Sequence, residues 1–226
     1  MIKNILLDLD DTILDFGKSE SESICKTLLD FGIEPSRKLV QRYSQINAEH
    51  WQMFERGEID RQQVLLGRFE VFLKELNCFY DAEKMKILYE NYLKESVYFV
   101  DGAIDMLNVL TKKYRLFLVS NGTAKVQDRR IELAGIEKYF NGIFISERVG
   151  CNKPSLQFFE QVFSVIDNFL HNETIILGDS ISSDILGGRN ANIITVLFDD
   201  KKKYSDSIAD YKISKLSEFV NLIDNL

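Results

Sequence analysis

Five short aliphatic runs without polar alternation recur along the chain. They span residues 5–9, 115–120, 142–146, 174–178 and 193–198. Parallel strands that are covered on both faces have such continuous runs, whereas half-exposed strands alternate. Helical periodicity fills much of the chain between and after the later runs, including residues 123–136, 154–167 and 214–226. The pattern predicts an α/β fold of βαβ units, a doubly wound (Rossmann-like) parallel sheet.

One long segment breaks this alternation of strands and helices. Residues 16–100 contain no strand run but four helical segments rich in charge, divided at Gly32, at Gly57 and around residues 77–80. We interpret the segment as an inserted all-α cap domain of four helices. The predicted core domain is then residues 1–15 together with residues 101–226, and the position of the insertion suggests that it covers the end of the first strand.

Composition restricts the possible partners. The 226 residues are 45% hydrophobic and 28% charged, which is typical of a globular protein, and the net charge is −7. Without a long basic stripe we expect no polymeric nucleic acid as a partner. Three widely separated cysteines form no CxxC motif, which favours reduced thiols. With no room for a signal peptide before the first strand and no apolar run of about 18 residues, we expect a cytoplasmic protein with no membrane association.

Polar motifs end three of the predicted strands and follow a fourth. "DLDDT" begins at Asp8, "SNG" begins at Ser120, "NKPS" contains Lys153, and "GDSISSD" contains Asp179 and Asp184. The carboxyl ends of parallel strands meet at one edge of a sheet, where ligands of open α/β folds bind. We therefore expect these four motifs to form one site.

The order of these motifs resembles that of the haloacid dehalogenase-like superfamily of phosphatases, with a helical cap inserted after the first motif. The resemblance covers essentially the whole chain. "DLDDTILDF" and the length of the cap are most similar to the bacterial pyrimidine 5'-nucleotidase subgroup. The resemblance implies hydrolysis of a small-molecule phosphomonoester.

Two acids of the first motif receive catalytic roles. Alternate positions of an extended segment point the same way, so Asp8 and Asp10 can approach one reacting centre. We assign Asp8 as the nucleophile that forms an aspartyl phosphate, and Asp10 as the acid and then the base. By resemblance, Asp8, the backbone carbonyl of Asp10, and Asp179 bind Mg²⁺. Because several acids must face a phosphate dianion, we expect the metal to be essential.

The remaining candidates support the phosphate, the metal or the leaving group. Ser120, the backbone of Asn121 and Gly122, and the charge of Lys153 are assigned to phosphate binding. Asp184 is expected to support the metal's water shell or to orient Lys153, with capping of the helix it begins as the alternative. Thr12 either holds the loop after the strand or contacts phosphate.

Aromatic side chains offer a possible contact for the leaving group. Phe16, Trp51 and Phe54 could stack on a base, although cap helices also need aromatic residues for packing.

The function predicted from these residues is a Mg²⁺-dependent phosphomonoesterase acting on pyrimidine nucleoside 5'-monophosphates. The alternatives within the superfamily are a sugar-phosphate or phosphoglycolate phosphatase and a 2-haloacid dehalogenase. Dehalogenation uses the nucleophile but neither a metal nor a second acid two residues later, so Asp10 and Asp179 argue against it. A response-regulator receiver domain is a non-enzymatic alternative, but its acidic pair precedes the phosphorylated Asp and it needs no cap.

Overall fold

A six-stranded parallel sheet forms the centre of the computed structural model, which describes all residues from Met1 to Leu226. The strands lie in the order β3-β2-β1-β4-β5-β6. They are β1 (Asn4–Leu7), β2 (Arg115–Ser120), β3 (Gly142–Ile145), β4 (Thr174–Gly178), β5 (Ile194–Phe198) and β6 (Tyr211–Ile213). The predicted doubly wound fold is confirmed.

The first strand lies at the point where the strand order reverses. β1 pairs with β2 on one side and with β4 on the other, so that Leu7 is level with Leu118 and Leu177. In turn, Gly178 of β4 is level with Leu197 of β5. The carboxyl ends of these strands therefore open on one edge of the sheet, with the end of β1 between its neighbours. Such a switch point is where open α/β sheets bind ligands.

The chain consists of two compact units. The core unit comprises Met1–Asp15 and Phe99–Leu226, and the helical unit comprises Phe16–Tyr98. The predicted assignment of residues 16–100 to a cap domain and of residues 1–15 and 101–226 to the core stays a prediction. No helix of either unit is both long and apolar enough to cross a membrane, and the cytoplasmic location likewise stays a prediction.

The helices of the core unit surround the sheet. They are α5 (Ala103–Leu110), α6 (Ala124–Ala134), α7 (Ser146–Val149), α8 (Leu156–Phe163), α9 (Leu186–Asn190) and α10 (Leu216–Ile223). Large apolar side chains of α8, such as Phe158 and Phe159, pack with Leu6 and Phe117 of the sheet. This packing covers one face of the strands and explains their lack of polar alternation.

Two features of the core unit differ from the sequence-based expectation. The helix expected over residues 154–167 is shorter, because α8 begins only at Leu156, after the N-cap residue Ser155. Lys153 therefore lies in the loop before α8. The strand β6 was not predicted, because Tyr211–Ile213 is only three residues long and largely exposed, so it leaves no apolar run in the sequence.

The helical unit contains the four predicted helices. They are α1 (Phe16–Asp30), α2 (Arg37–Glu55), α3 (Arg61–Glu75) and α4 (Ala82–Leu93). Polar residues fix the starts of three of them: Ser36, Asp60 and Asp81 each accept a hydrogen bond from a backbone N–H of the first turn. Asp60 and Gln63 form a complete capping box at the start of α3.

A polar cluster lies inside the helical unit, where the Arg68 guanidinium lies over the rings of Phe69 and Tyr89. We define the polar cluster as Glu20, Ser44, Asn47 and Arg68. Asn47 joins its members: its Nδ2 donates to Glu20 Oε1 at 2.6 Å, and its Oδ1 accepts from Arg68 NH1 at 2.6 Å. Ser44 donates to the other carboxylate oxygen of Glu20. The side-chain amide of Asn47 thus links a buried carboxylate to a buried guanidinium.

We predict that Asn47→Ala destabilises the protein by about 2–4 kcal/mol, because it leaves a buried carboxylate and a buried guanidinium without their shared partner. Urea unfolding followed by circular dichroism measures the effect. Gln45→Ala, at an exposed position of the same helix, is the matched control and should cost less than about 0.5 kcal/mol. Equal losses in the two variants would contradict this account of the polar cluster.

Candidate active site

Lys153 lies at the centre of the site and is almost fully buried, with 1% of its surface exposed. Its Nζ donates to Asp8 Oδ1 at 2.6 Å, to Asp184 Oδ1 at 2.6 Å and to the backbone oxygen of Val119 at 2.9 Å. Burial alone would lower the pKa of Lys153, but the two carboxylates outweigh it and raise the pKa above its ordinary value. The lysine is therefore a fixed positive charge.

The position of Lys153 is set by its backbone. Asn121 Oδ1 accepts from the Lys153 N–H, and Asn121 Nδ2 donates to the Lys153 carbonyl, both at 2.9 Å. The side chain of Asn121 thus clamps the loop before α8 to the end of β2. The phosphate-binding role predicted for Asn121 concerns its backbone. The contacts of its side chain do not test that role, which stays a prediction.

Asp8 directly follows β1 and is buried, with 7% of its surface exposed. Its backbone N–H donates to the Leu177 carbonyl at 3.0 Å, which continues the sheet pairing with β4. Burial raises the pKa of Asp8 well above its ordinary range, Lys153 counteracts this, and Asp184, Asp179 and Asp10 raise the pKa further. The carboxyl group is held in an environment with an excess of negative charge.

Asp179 and Asp184 complete an acidic cluster with Asp8. One carboxylate oxygen of each lies within 4.8 Å of the others. Burial raises the pKa of Asp179 to about 7, with further contributions from Asp184 and Asp11. Three hard oxygen donors beside an excess of negative charge suit a divalent cation such as Mg²⁺. The residues present therefore fit the metal that the sequence predicts.

A tight turn brings Asp184 back to the cluster. It follows β4 through Gly178, Asp179 and Ser180, and Asp184 Oδ2 accepts from the Ser180 N–H at 3.1 Å. A Cβ atom on Gly178 would lie 2.2 Å from the Asp184 Cγ. Only glycine at the end of β4 leaves room for the Asp184 carboxylate, a requirement that the sequence motif does not reveal by itself.

Asp10 is paired with a cation of its own, Arg130. Its Oδ1 accepts from Arg130 NH1 at 2.5 Å, and its Oδ2 accepts from Gln127 Nε2 at 2.6 Å. Both donors lie on α6, and neither was predicted. The only sequence signal is their spacing of three residues, which places them on one helix face beside the apolar Val126 and Ile131.

The neighbouring residues Asp11 and Thr12 have local positions. Asp11 adopts a left-handed backbone conformation (φ 55°), and its N–H donates to the Leu14 carbonyl at 2.7 Å. Thr12 is buried, and its Oγ1 has no hydrogen-bond partner in the structure. The predicted supporting role of Thr12 stays a prediction.

The predicted phosphate-binding residues at the end of β2 lie beside Asp10. The Ser120 Oγ accepts from the Gly122 N–H at 3.1 Å and from Gln127 Nε2 at 2.9 Å. Gly122 leaves space for Gln127, since a Cβ atom there would lie 2.4 Å from Gln127 Nε2. The structure thus brings Ser120 and Gly122 into one hydrogen-bonded group with Asp10.

The aromatic candidates for substrate contact, Phe16, Trp51 and Phe54, lie in the helical unit and are partly exposed. Trp51 and Phe54 pack edge to face, with ring centroids 5.9 Å apart. The guanidinium of Arg61 lies 5.1 Å from the Phe54 ring centroid. Their part in substrate binding stays a prediction.

A buried lysine between two carboxylates lies at the switch point of a doubly wound sheet, where open α/β folds bind their ligands. Residues 5–198 match the model of the haloacid dehalogenase-like hydrolase family, and the chain belongs to this family. The predicted family is therefore confirmed, and so is the prediction that the protein is an enzyme, a hydrolase.

Individual relatives match nearly the whole chain. The HAD-hydrolase YfnB of Bacillus subtilis is 33% identical, with 98% of this chain and 95% of YfnB covered. The crystal structure of YfnB bound to magnesium superposes with a TM-score of 0.94, at 32% identity and 99% coverage of both chains. The pyrimidine 5'-nucleotidases PynA of Streptococcus pneumoniae and YjjG of Escherichia coli are each 28% identical, over 98% and 97% of this chain and 95% and 96% of their own.

We predict that Asp179→Asn stabilises the metal-free protein above neutral pH. In the folded state Asp179 has a pKa of about 7 against an ordinary value of 3.8, so folding favours its protonated form. That stabilising contribution is present below about pH 4 and is lost as the pH rises through about 7. At pH 8 in EDTA, the Tm of the variant should exceed that of wild type by at least about 3 °C.

Thermal denaturation with EDTA or with Mg²⁺ tests this expectation. Added Mg²⁺ should raise the Tm of wild type more than that of Asp179→Asn, because ligand binding to the folded state stabilises it. Asp200→Asn, at an exposed position, is the control and should change the Tm by no more than about 1 °C. An Asp179→Asn variant that melts below wild type at pH 8 in EDTA would contradict the predicted electrostatics.

Proposed function

We propose that this protein is a Mg²⁺-dependent phosphomonoesterase that acts through an aspartyl phosphate and hydrolyses pyrimidine nucleoside 5'-monophosphates. The observation that carries the proposal is the buried Lys153 between Asp8 and Asp184, beside the acidic cluster with Asp179. A fixed cation next to a carboxylate nucleophile at the end of a strand is suited to bind and attack a phosphoryl group. The predicted enzyme class, phosphoric monoester hydrolase, is the one that the nucleotidase relatives represent.

In the first step, a carboxylate oxygen of Asp8 attacks phosphorus and the ester P–O bond breaks. The leaving oxygen keeps the electron pair of that bond and takes a proton from Asp10. In the second step, water attacks the phosphorus of the aspartyl phosphate and gives a proton to Asp10, while the electron pair of the broken P–O bond returns to Asp8. Inorganic phosphate leaves, and both acids regain their initial state.

The phosphate oxygens are assigned to Ser120, to the backbone N–H groups of Asn121 and Gly122, and to Lys153. Ser120 and Gly122 already lie within one hydrogen-bonded group, and the Asn121 side chain fixes the Lys153 backbone. Asp184 then orients Lys153 through their 2.6 Å ion pair. Of the three roles weighed for Asp184, which are support of the metal's water shell, orientation of Lys153 and capping of a helix, this contact favours the orientation of Lys153, and the residue also closes the turn after β4.

The metal is assigned to Asp8, the backbone carbonyl of Asp10, and Asp179. When bound, Mg²⁺ would offset the repulsion between these acids and a phosphate dianion and would polarise the phosphoryl group. A 2-haloacid dehalogenase is disfavoured because its chemistry does not need the second acid, whereas here Asp10 is held by two donors next to Ser120.

The nucleotide specificity is the finer part of the proposal. Two relatives that match nearly the full chain are named pyrimidine 5'-nucleotidases, and Trp51, Phe54 and Phe16 offer aromatic faces that could stack on a base. A sugar-phosphate or phosphoglycolate phosphatase is the alternative, since the core residues contact the phosphate that all these substrates share.

We predict that Asp8→Asn lowers kcat for phosphate release by at least about 10³-fold, because an amide cannot form the acyl phosphate. Release of inorganic phosphate in the presence of Mg²⁺ measures the change. Asp11→Asn is the matched control three residues later. Asparagine adopts the left-handed conformation of Asp11 readily, so this variant should stay within about threefold of wild type. Full activity in Asp8→Asn would refute the covalent mechanism.

We also predict the order of substrates in a panel of phosphomonoesters assayed with Mg²⁺ or with EDTA. The kcat/KM for uridine and cytidine 5'-monophosphate should exceed that for sugar phosphates and phosphoglycolate by at least about tenfold, equivalent to about 1.4 kcal/mol of transition-state binding. EDTA should abolish all of these activities. A preference for sugar phosphates would overturn the nucleotide specificity alone, and metal-independent turnover of 2-haloacids would overturn the phosphatase.

A further inference from the structure

Arg130 is a fully buried arginine whose charge faces the active site. None of its surface is exposed, and its NH1 donates to Asp10 Oδ1 at 2.5 Å and to Gln127 Oε1 at 2.9 Å. Burial of a guanidinium costs several kcal/mol unless charge and hydrogen bonding compensate. Arg130 is therefore placed for its contact with Asp10 and cannot be a surface residue of an amphipathic helix.

Gln127 connects the same carboxylate to the phosphate-binding segment. Its Nε2 donates to Asp10 Oδ2 at 2.6 Å and to the Ser120 Oγ at 2.9 Å. The absence of a side chain at Gly122 gives it the required space. Oδ2 of Asp10 is consequently the oxygen on the side of Ser120.

The two donors share one rigid support. Gln127 and Arg130 are one helical turn apart on α6, and both are buried. Since each oxygen of Asp10 has a donor fixed on this helix, the rotamer of the carboxylate is fixed as well. An acid that delivers a proton must be held close to productive geometry, and α6 provides this constraint.

We propose that Arg130 and Gln127 are positioning residues that hold Asp10 for proton transfer, with Arg130 anchoring Oδ1 while Oδ2 exchanges the proton. The charged hydrogen bond to Arg130 is the stronger of the two, and the neutral amide of Gln127 gives way more readily. This inference rests on the proposed function, in which Oδ2 gives its proton to the leaving ester oxygen and later accepts one from the attacking water.

The leaving group distinguishes this role from a structural one. An alkoxide such as a nucleoside 5'-oxygen needs a proton as the P–O bond breaks, whereas p-nitrophenolate leaves without one. Because kcat/KM includes only the steps up to departure of the leaving group, a misplaced Asp10 lowers it for alkyl phosphates and not for p-nitrophenyl phosphate. The later hydrolysis of the aspartyl phosphate affects kcat but not kcat/KM.

The experiment compares wild type, Arg130→Met, Arg130→Lys and Gln127→Met, with Arg129→Met as the control. Arg129 is the preceding residue and pairs at the surface with Glu132. Uridine 5'-monophosphate, or the best alkyl phosphate of the panel, and p-nitrophenyl phosphate are the substrates. We expect Arg130→Met to lower kcat/KM by about 10²-fold for the alkyl phosphate and by less than about fivefold for p-nitrophenyl phosphate.

Three further readouts test the same inference. Arg130→Lys should recover part of the loss, since it restores the charge but not the planar fork. With p-nitrophenyl phosphate, Arg130→Met should show a burst of p-nitrophenol equal to the enzyme concentration before a slow steady state. In an Asp10→Asn background, Arg130→Met should lower kcat/KM no further than about threefold, because coupled residues are not additive.

Equal losses for both substrates would overturn the inference and identify Arg130 as structural. Circular dichroism and thermal denaturation establish that each variant is folded. If Arg130→Met does not fold, Gln127→Met decides, with the same selective loss for the alkyl phosphate as the supporting result and an equal loss as the refuting one. A wild-type enzyme inactive on every phosphomonoester would instead overturn the proposed function, and this inference with it.

Discussion

The ion pairs of Lys153 are the constraint on which the site depends. One ammonium group that is 1% exposed holds Asp8 after β1, Asp184 after β4 and the Val119 carbonyl of β2. Removing the lysine would leave two buried carboxylates without their shared cation, at a cost of about 3–5 kcal/mol. These contacts fix three strand ends and the loop before α8 relative to one another. They thereby also fix the positions of the phosphate-binding residues.

Most of this arrangement could be predicted from the sequence. The aliphatic runs predict five strands, and parallel pairing brings the polar motifs at their ends together, because the carboxyl ends share one edge. The four inserted helices also follow from their periodicity and from the breaks at Gly32, Gly57 and residues 77–80. Strand β6 could not be predicted, because an edge strand of three residues has too few apolar positions for its sequence to be distinguished from that of a loop.

Arg130 and Gln127 show a different limit. In the segment 123–136 the charged residues belong to an amphipathic helix, and such residues normally face solvent. Whether Arg129 or Arg130 points inward depends on which face of the helix packs against the end of β1. Tertiary packing decides this, and the local sequence does not show it. The same applies to Gly178 and Gly122, whose missing side chains make room for Asp184 and Gln127. Sequence patterns therefore reveal the reacting residues more easily than they reveal the residues that position them.

Arg130, the second buried cation of the site, changes the electrostatic argument for the metal. With one lysine against four acids, net repulsion alone would explain why a cation is needed. Instead Arg130 is paired with Asp10 alone, whereas the single charge of Lys153 is shared by Asp8 and Asp184, so the unmet negative charge lies on the acidic cluster of Asp8, Asp179 and Asp184. The nearest cation to Asp179 is the half-exposed Lys203, at 3.5 Å, and the pKa of Asp179 is raised to about 7. The unmet negative charge of the core therefore lies on the acidic cluster, which is where a divalent ion gains most by binding.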